Sequence, residues 1–146
     1  MPAHLDTGEG ITLGAQPSAA MLHALAADGV RAVLSVRTDV EDMQPIHTAE
    51  ERRICDTLGL TFASVPVSMK SADAATVDAF DAALAALPRP VHVHCKLGQR
   101  AAMMVLLHRA RAAGWSADEA LTHADTQGYG LDDTEPLRTF VREHLT

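Results

Sequence analysis

The apolar positions of the chain follow two alternating rhythms, one helical and one extended. Met21, Leu22, Leu25 and Ala26 recur at helical spacing behind Ser18, a residue type that caps helix N-termini, and Asp28-Gly29 supplies a stop. The run VRAVLSVR over 30–37 is apolar enough for a central strand. A polar, acidic loop follows over 38–46, and Thr48 with Glu51 three residues on predicts a capping box for a helix that Gly59 ends. LTFASVPV over 60–67 reads as another strand, after which Ser71 or Asp73 caps a helix whose Val77, Phe80, Leu84 and Leu87 form one stripe. VHVH over 91–94 is the next strand. Beyond it, residues 101–114 are apolar on nearly every side of their first turns, which marks a buried helix. Ser116 and Glu119 predict a second capping box, and Thr134-Glu135-Pro136 opens a last amphipathic helix bearing Leu137, Phe140, Val141 and Leu145. Near the start, Ile11 to Leu13 reads as a short edge strand and 14–18 as the turn after it.

Strands alternating with helices through short connections predict an α/β fold of three layers: a central, mainly parallel sheet of four to five strands with helices on both faces. The expected organisation is a single domain over 1–146, long enough to bury a core without metals or disulfides. Aromatics are 3% of the chain against 47% apolar residues, so that core is built from Ala, Leu, Val and Met. No stretch approaches the roughly 18 to 20 apolar residues of a membrane span, and the first residues lack a signal-peptide layout, so the expectation is a cytoplasmic protein without membrane contact. A net charge of -7 argues against nucleic-acid binding, and any anionic ligand must be gripped locally.

The stretch that carries chemistry is VHVHCKLGQRAAMM, where a strand runs directly into Cys95, a glycine-containing turn, Arg100 and the buried helix. Ligands of open α/β sheets bind beyond the carboxyl ends of the strands, where Cys95 stands. Backbone amides from Lys96 through Leu97, Gly98 and Gln99 to Arg100 converge on an anion at a helix start, where the dipole adds partial positive charge. Gly98 permits the tight turn, and Arg100 offers a planar fork that grips two oxygens of a phosphate-like group. The same field favours thiolate over thiol, which makes Cys95 a nucleophile. His94 precedes it on the opposite face of the strand, placed to brace the loop by hydrogen bonds.

His94-Cys95-Lys96-Leu97-Gly98-Gln99-Arg100 resembles the signature of the cysteine-dependent phosphatase superfamily, in which His-Cys, a glycine-containing loop and Arg bind phosphate. The tyrosine and dual-specificity branches place five residues between Cys and Arg, and this chain has four. It is more similar to the bacterial beta-lactamase-hydrolase-like phosphatase branch, which shares that gap, a Gly-x-Gln-Pro turn (here Gly14 to Pro17) and a Ser-Val-Arg strand end. The resemblance runs from about Ile11 to Arg111. It implies Cys95 and Arg100 as catalytic residues, Lys96, Leu97, Gly98, Gln99 and Ala101 as substrate-binding positions, and a phosphorylated small molecule or protein as partner, with no cofactor. Two departures accompany it. Ala101 stands where the superfamily carries a hydroxyl, and no Asp lies roughly thirty residues before the cysteine, where Val65, Pro66, Val67 and Ser68 are found. Asp73 and, in another loop, Asp39, Glu41 and Asp42 are the carboxylates in reach of the same sheet edge.

Other readings stand beside these. Cys95 could be an inert core thiol, as Cys55 on its helix is taken to be. A rhodanese-like sulfurtransferase or an anion-binding module without turnover would keep the same cradle. Of eight histidines only His92-x-His94 has the spacing of a ligand pair, so no metal is expected. Lys96 and Gln99 belong at the pocket rim, and the tail around Gln127 and Tyr129 lies where it could cover the site.

Overall fold

The computed structural model describes residues 4–38, 45–132 and 134–145. A five-stranded sheet is formed by β1 (His4–Asp6), β2 (Ile11–Gly14), β3 (Ala32–Ser35), β4 (Thr61–Ser64) and β5 (Val91–His94), in the order β1-β2-β5-β3-β4. β1 runs antiparallel to β2 and every other pairing is parallel. Ile11 to Leu13 is therefore one strand in from the edge. The edge is β1, joined to β2 by a turn in which Gly8, Glu9 and Gly10 all have positive φ. Three residues carry too little alternation to announce such a strand.

Alternation sorts the sheet into two faces. Val33 points toward α1 (Ala19–Ala27) and α2 (Thr48–Leu58), where Leu22, Leu25, Ile46, Cys55 and Leu60 make a small core. Ala32, Leu34, Val91 and Val93 point the other way, into a larger core shared with α3 (Ala74–Ala86), α4 (Gln99–Ala113), α5 (Ala117–Gln127) and α6 (Glu135–His144). Among the described residues no helix is long and apolar enough to cross a membrane.

α4 follows the reading of an all-round apolar helix: Ala101 to Leu107 are each buried without interruption. Burying one such Leu or Met contributes about 1.5–3 kcal/mol, so α4 is pinned hard against β5 and β2 and fixes the loop before it. Ser18 caps α1, Asp73 and Thr76 form a capping box on α3, and Ser116 and Glu119 form the predicted one on α5. The box predicted for α2 does not form. Thr48 is already helical, His47 holds the cap position, and Glu51 is turned fully into the interior.

Candidate active site

β5 occupies the middle of the sheet, flanked by β2 and β3 in parallel register, so its carboxyl end is enclosed on both sides. Val91, Val93 and Cys95 share the larger core's face, and His92 and His94 take the other. Cys95 is 1% exposed and directly follows the last residue of the strand. The chain then turns through Lys96, Leu97 and Gly98 into α4. Gly98 adopts φ +102, outside the range side chains favour, and its amide donates to Cys95 Sγ at 3.1 Å. The first intrahelical bond of α4 runs from the Ala102 amide to the Gly98 carbonyl at 2.9 Å. Gln99, Arg100 and Ala101 are thus first-turn residues, whose amides an α-helix leaves without an intrahelical acceptor.

Cys95, Lys96, Leu97, Gln99 and Arg100 line one open cleft together with Met69 and Leu137. One Nη of Arg100 donates to the Val67 carbonyl at 2.8 Å, which holds the guanidinium at the flank of this cleft. Lys96 and Gln99 are half-buried at its rim and Leu97 is 68% exposed. Ala101 places its methyl in the core, so only its backbone faces the loop side. Gly98 belongs to a second, apolar recess behind the loop, walled by Leu5, Leu13, Ala102 and Tyr129. The tail reaches this recess: Gln99 Nε2 donates to the Gly130 carbonyl at 3.4 Å. Tyr129 is buried there, and Gln127 ends α5 without lining the cleft.

The loop rests on a buried polar chain that the sequence pattern did not reveal. His94 Nε2 lies 2.6 Å from Glu51 Oε2, both side chains at zero exposure, and its Nδ1 lies 3.3 Å from the Cys95 carbonyl. Glu51 Oε1 accepts from Gln16 Nε2 at 3.0 Å, and Gln16 Oε1 accepts from Arg37 Nη1 at 3.0 Å. Arg37 is itself 1% exposed and also donates to the Ile46 carbonyl and to Thr48 Oγ1. Its Nε finds no acceptor among the described residues. A signal for Glu51 did exist: it precedes Cys55 by four positions, which puts it on the apolar face of α2.

The other candidates separate from the cleft. Asp73 Oδ1 accepts from the Thr76 amide and hydroxyl, which commits it to capping α3. Asp39, Glu41 and Asp42 lie outside the described residues. His92 Nδ1 meets Thr12 Oγ1 at 2.8 Å and His94 meets Glu51, so the histidine pair on β5 is engaged in hydrogen bonds with neighbouring elements. Cys55 is buried, and burial first, then the nearby Glu51 and Asp56 carboxylates, push its thiol up to about 12.

The family described as "Beta-lactamase hydrolase-like protein, phosphatase-like domain" matches residues 7–112. A beta-lactamase hydrolase-like protein of Xylella fastidiosa (strain Temecula1) is 31% identical over 127 residues, covering 87% of this chain and 30% of that protein. The chain thus spans less than a third of the length of the curated relatives it matches. Among solved structures, a candidate phosphatase of Neisseria meningitidis Z2491 superposes with a TM-score of 0.81 at 23% identity over 99% of each chain. Pseudomonas aeruginosa TpbA, solved in complex with phosphotyrosine, superposes with a TM-score of 0.72 at 22% identity, covering 97% of this chain and 90% of that one. These likenesses establish a phosphatase-like fold.

Proposed function

Because the chain belongs to the beta-lactamase hydrolase-like family, in its phosphatase-like domain, we propose that residues 95–100 are the catalytic loop of a phosphomonoester hydrolase. The observation that carries this reading is the convergence of Cys95 and Arg100 on one cleft, with the Gly98 amide directed at the sulfur at 3.1 Å. An N–H aimed at sulfur is a hydrogen bond that an attacking thiolate accepts.

In the proposed sequence the Cys95 thiolate attacks phosphorus, the ester oxygen departs, and a cysteinyl-phosphate forms. Amides of Lys96, Leu97, Gln99, Arg100 and Ala101 hold the non-bridging oxygens, and the Arg100 fork spans two of them. Water then attacks phosphorus, the P–S bond breaks, and phosphate leaves with the thiolate restored. No cofactor enters. Met69 and Leu137 offer an apolar wall to the departing alcohol, and the substrate class is a phosphorylated small molecule or protein. Phosphotyrosine held by TpbA on a related fold supports an aryl ester as the first probe.

The test is hydrolysis of a generic aryl phosphate by wild type, Cys95→Ser and Arg100→Ala, with sulfur transfer from thiosulfate to cyanide measured alongside. The proposal expects hydrolysis in wild type alone. Activity retained in Cys95→Ser, or sulfur transfer without phosphate release, would overturn it.

A further inference from the structure

We infer that Glu51 is a positioning residue for the Cys95–Arg100 loop, acting through His94, and that Gln16 sets the carboxylate in place. The inference rests on the cysteine-loop reading above and adds to it a residue on α2 that touches neither substrate nor sulfur.

A carboxylate and an imidazole nitrogen 2.6 Å apart, both at zero exposure, share a proton between them, since two bare lone pairs would repel at that separation. A carbonyl oxygen can only accept, so in the 3.3 Å contact with the Cys95 carbonyl it is Nδ1–H that donates. That carbonyl belongs to the first peptide of the loop, so the ring's orientation bears directly on where the Lys96 amide points. The ring cannot choose its own orientation. The Glu51 carboxylate does so from α2, and its second oxygen is held by Gln16 Nε2 at 3.0 Å.

Gln16 is a bridge twice over. Its side chain orients Glu51, while its backbone amide donates to the Lys96 carbonyl at 3.1 Å, inside the loop itself. Arg37 anchors the far end of the chain through Gln16 Oε1. Every link is buried, where hydrogen bonds are strong and a missing partner is costly. Nothing about capping α2 demands this arrangement, because Glu51 makes no capping bond. A carboxylate turned inward toward an imidazole on the adjacent strand is instead the pattern by which an orienting group fixes a ring that in turn fixes reacting groups.

The test uses Glu51→Ala, Glu51→Gln and Gln16→Ala, each assayed well below its melting temperature for aryl phosphate hydrolysis and for the rate of Cys95 alkylation by iodoacetamide. In Glu51→Gln the new amide donates to Nε2 and its carbonyl still accepts from Gln16, so the ring keeps its orientation. The expected kcat falls on the order of 10- to 100-fold in Glu51→Ala with KM little changed, and is substantially rescued in Glu51→Gln, because a sub-ångström shift of catalytic groups acts on the chemical step. A Glu51→Ala protein with wild-type kcat and alkylation rate, lowered only in melting temperature, would overturn the inference, as would a Glu51→Gln protein as slow as Glu51→Ala. Should Glu51→Ala fail to fold, Gln16→Ala decides: a lowered kcat upholds the coupling and an unchanged one refutes it. Should wild type hydrolyse nothing, the phosphatase reading fails on its own, and altered alkylation of Cys95 in the variants still decides the role of Glu51.

Discussion

Gly98→Ala isolates the conformational demand of the loop. Gly98 sits at φ +102 and ψ -18. A Cβ built there would meet the Gly14 carbonyl carbon and oxygen at 3.5 Å and the Ala15 nitrogen at 3.7 Å, which are ordinary contacts. Space is therefore not the obstacle, and the expected cost is that of holding an L-residue at positive φ, about 1–2 kcal/mol. For a domain of this size each kcal/mol shifts the melting temperature by about 2–4 °C, so the variant should melt about 2–8 °C below wild type in a thermal scan followed by circular dichroism. If the loop relaxes instead to negative φ, the Gly98 amide leaves Cys95 Sγ, and alkylation of Cys95 at neutral pH should slow. A variant indistinguishable from wild type in both readouts would refute the argument. So would a loss above about 4 kcal/mol, which would point to overpacking against Gly14 rather than to φ.

The two cysteines should differ in native alkylation: peptide mapping after brief iodoacetamide treatment near pH 7.5 is expected to find Cys95 modified and Cys55 intact, since the Cys55 thiol is held up to about 12 by burial and by Glu51 and Asp56. Asp73→Ala removes the cap of α3 and should cost about 0.5–2 kcal/mol in urea unfolding while leaving kcat unchanged, which an acid-catalyst role for Asp73 would contradict. Arg138 beside Asp125 holds that carboxyl below the usual carboxylate range, chiefly through the side-chain hydrogen bond. A lowered native pKa stabilises above the unfolded value of about 3.9 and ceases to do so as pH falls through the folded one. With Asp125 partly exposed the pair is worth at most about 1 kcal/mol. Asp125→Asn should thus unfold at lower urea than wild type at pH 7, and the gap should close on acidification.

Local chemistry made the Cys95–Arg100 loop readable and long-range chemistry hid what supports it. The run from β5 through Cys95 and Gly98 to Arg100 is contiguous, and each residue type announces its own task. The helix caps at Ser18 and Ser116 were legible for the same reason, because a cap acts within three residues. Thr48 and Glu51 carry the same spacing, yet a partner 43 positions away on β5 outcompetes the cap. Gln16 reads as a turn residue and Arg37 as a strand end, although both are buried. A polar side chain on a helix faces solvent by default; in α2 the helical phase that Glu51 shares with Cys55 is the contrary indication.

The cleft's far wall is Leu137, on α6, whereas the segment matching the family ends at residue 112. The groups assigned to the proposed reaction thus come from one contiguous stretch, 95–101, while Leu137 reaches the same cleft from 37 positions beyond Arg100. Under the proposed reaction, a change on the cleft-facing side of α6 would alter which alcohol is accommodated while leaving Cys95, Arg100 and the loop amides as they are.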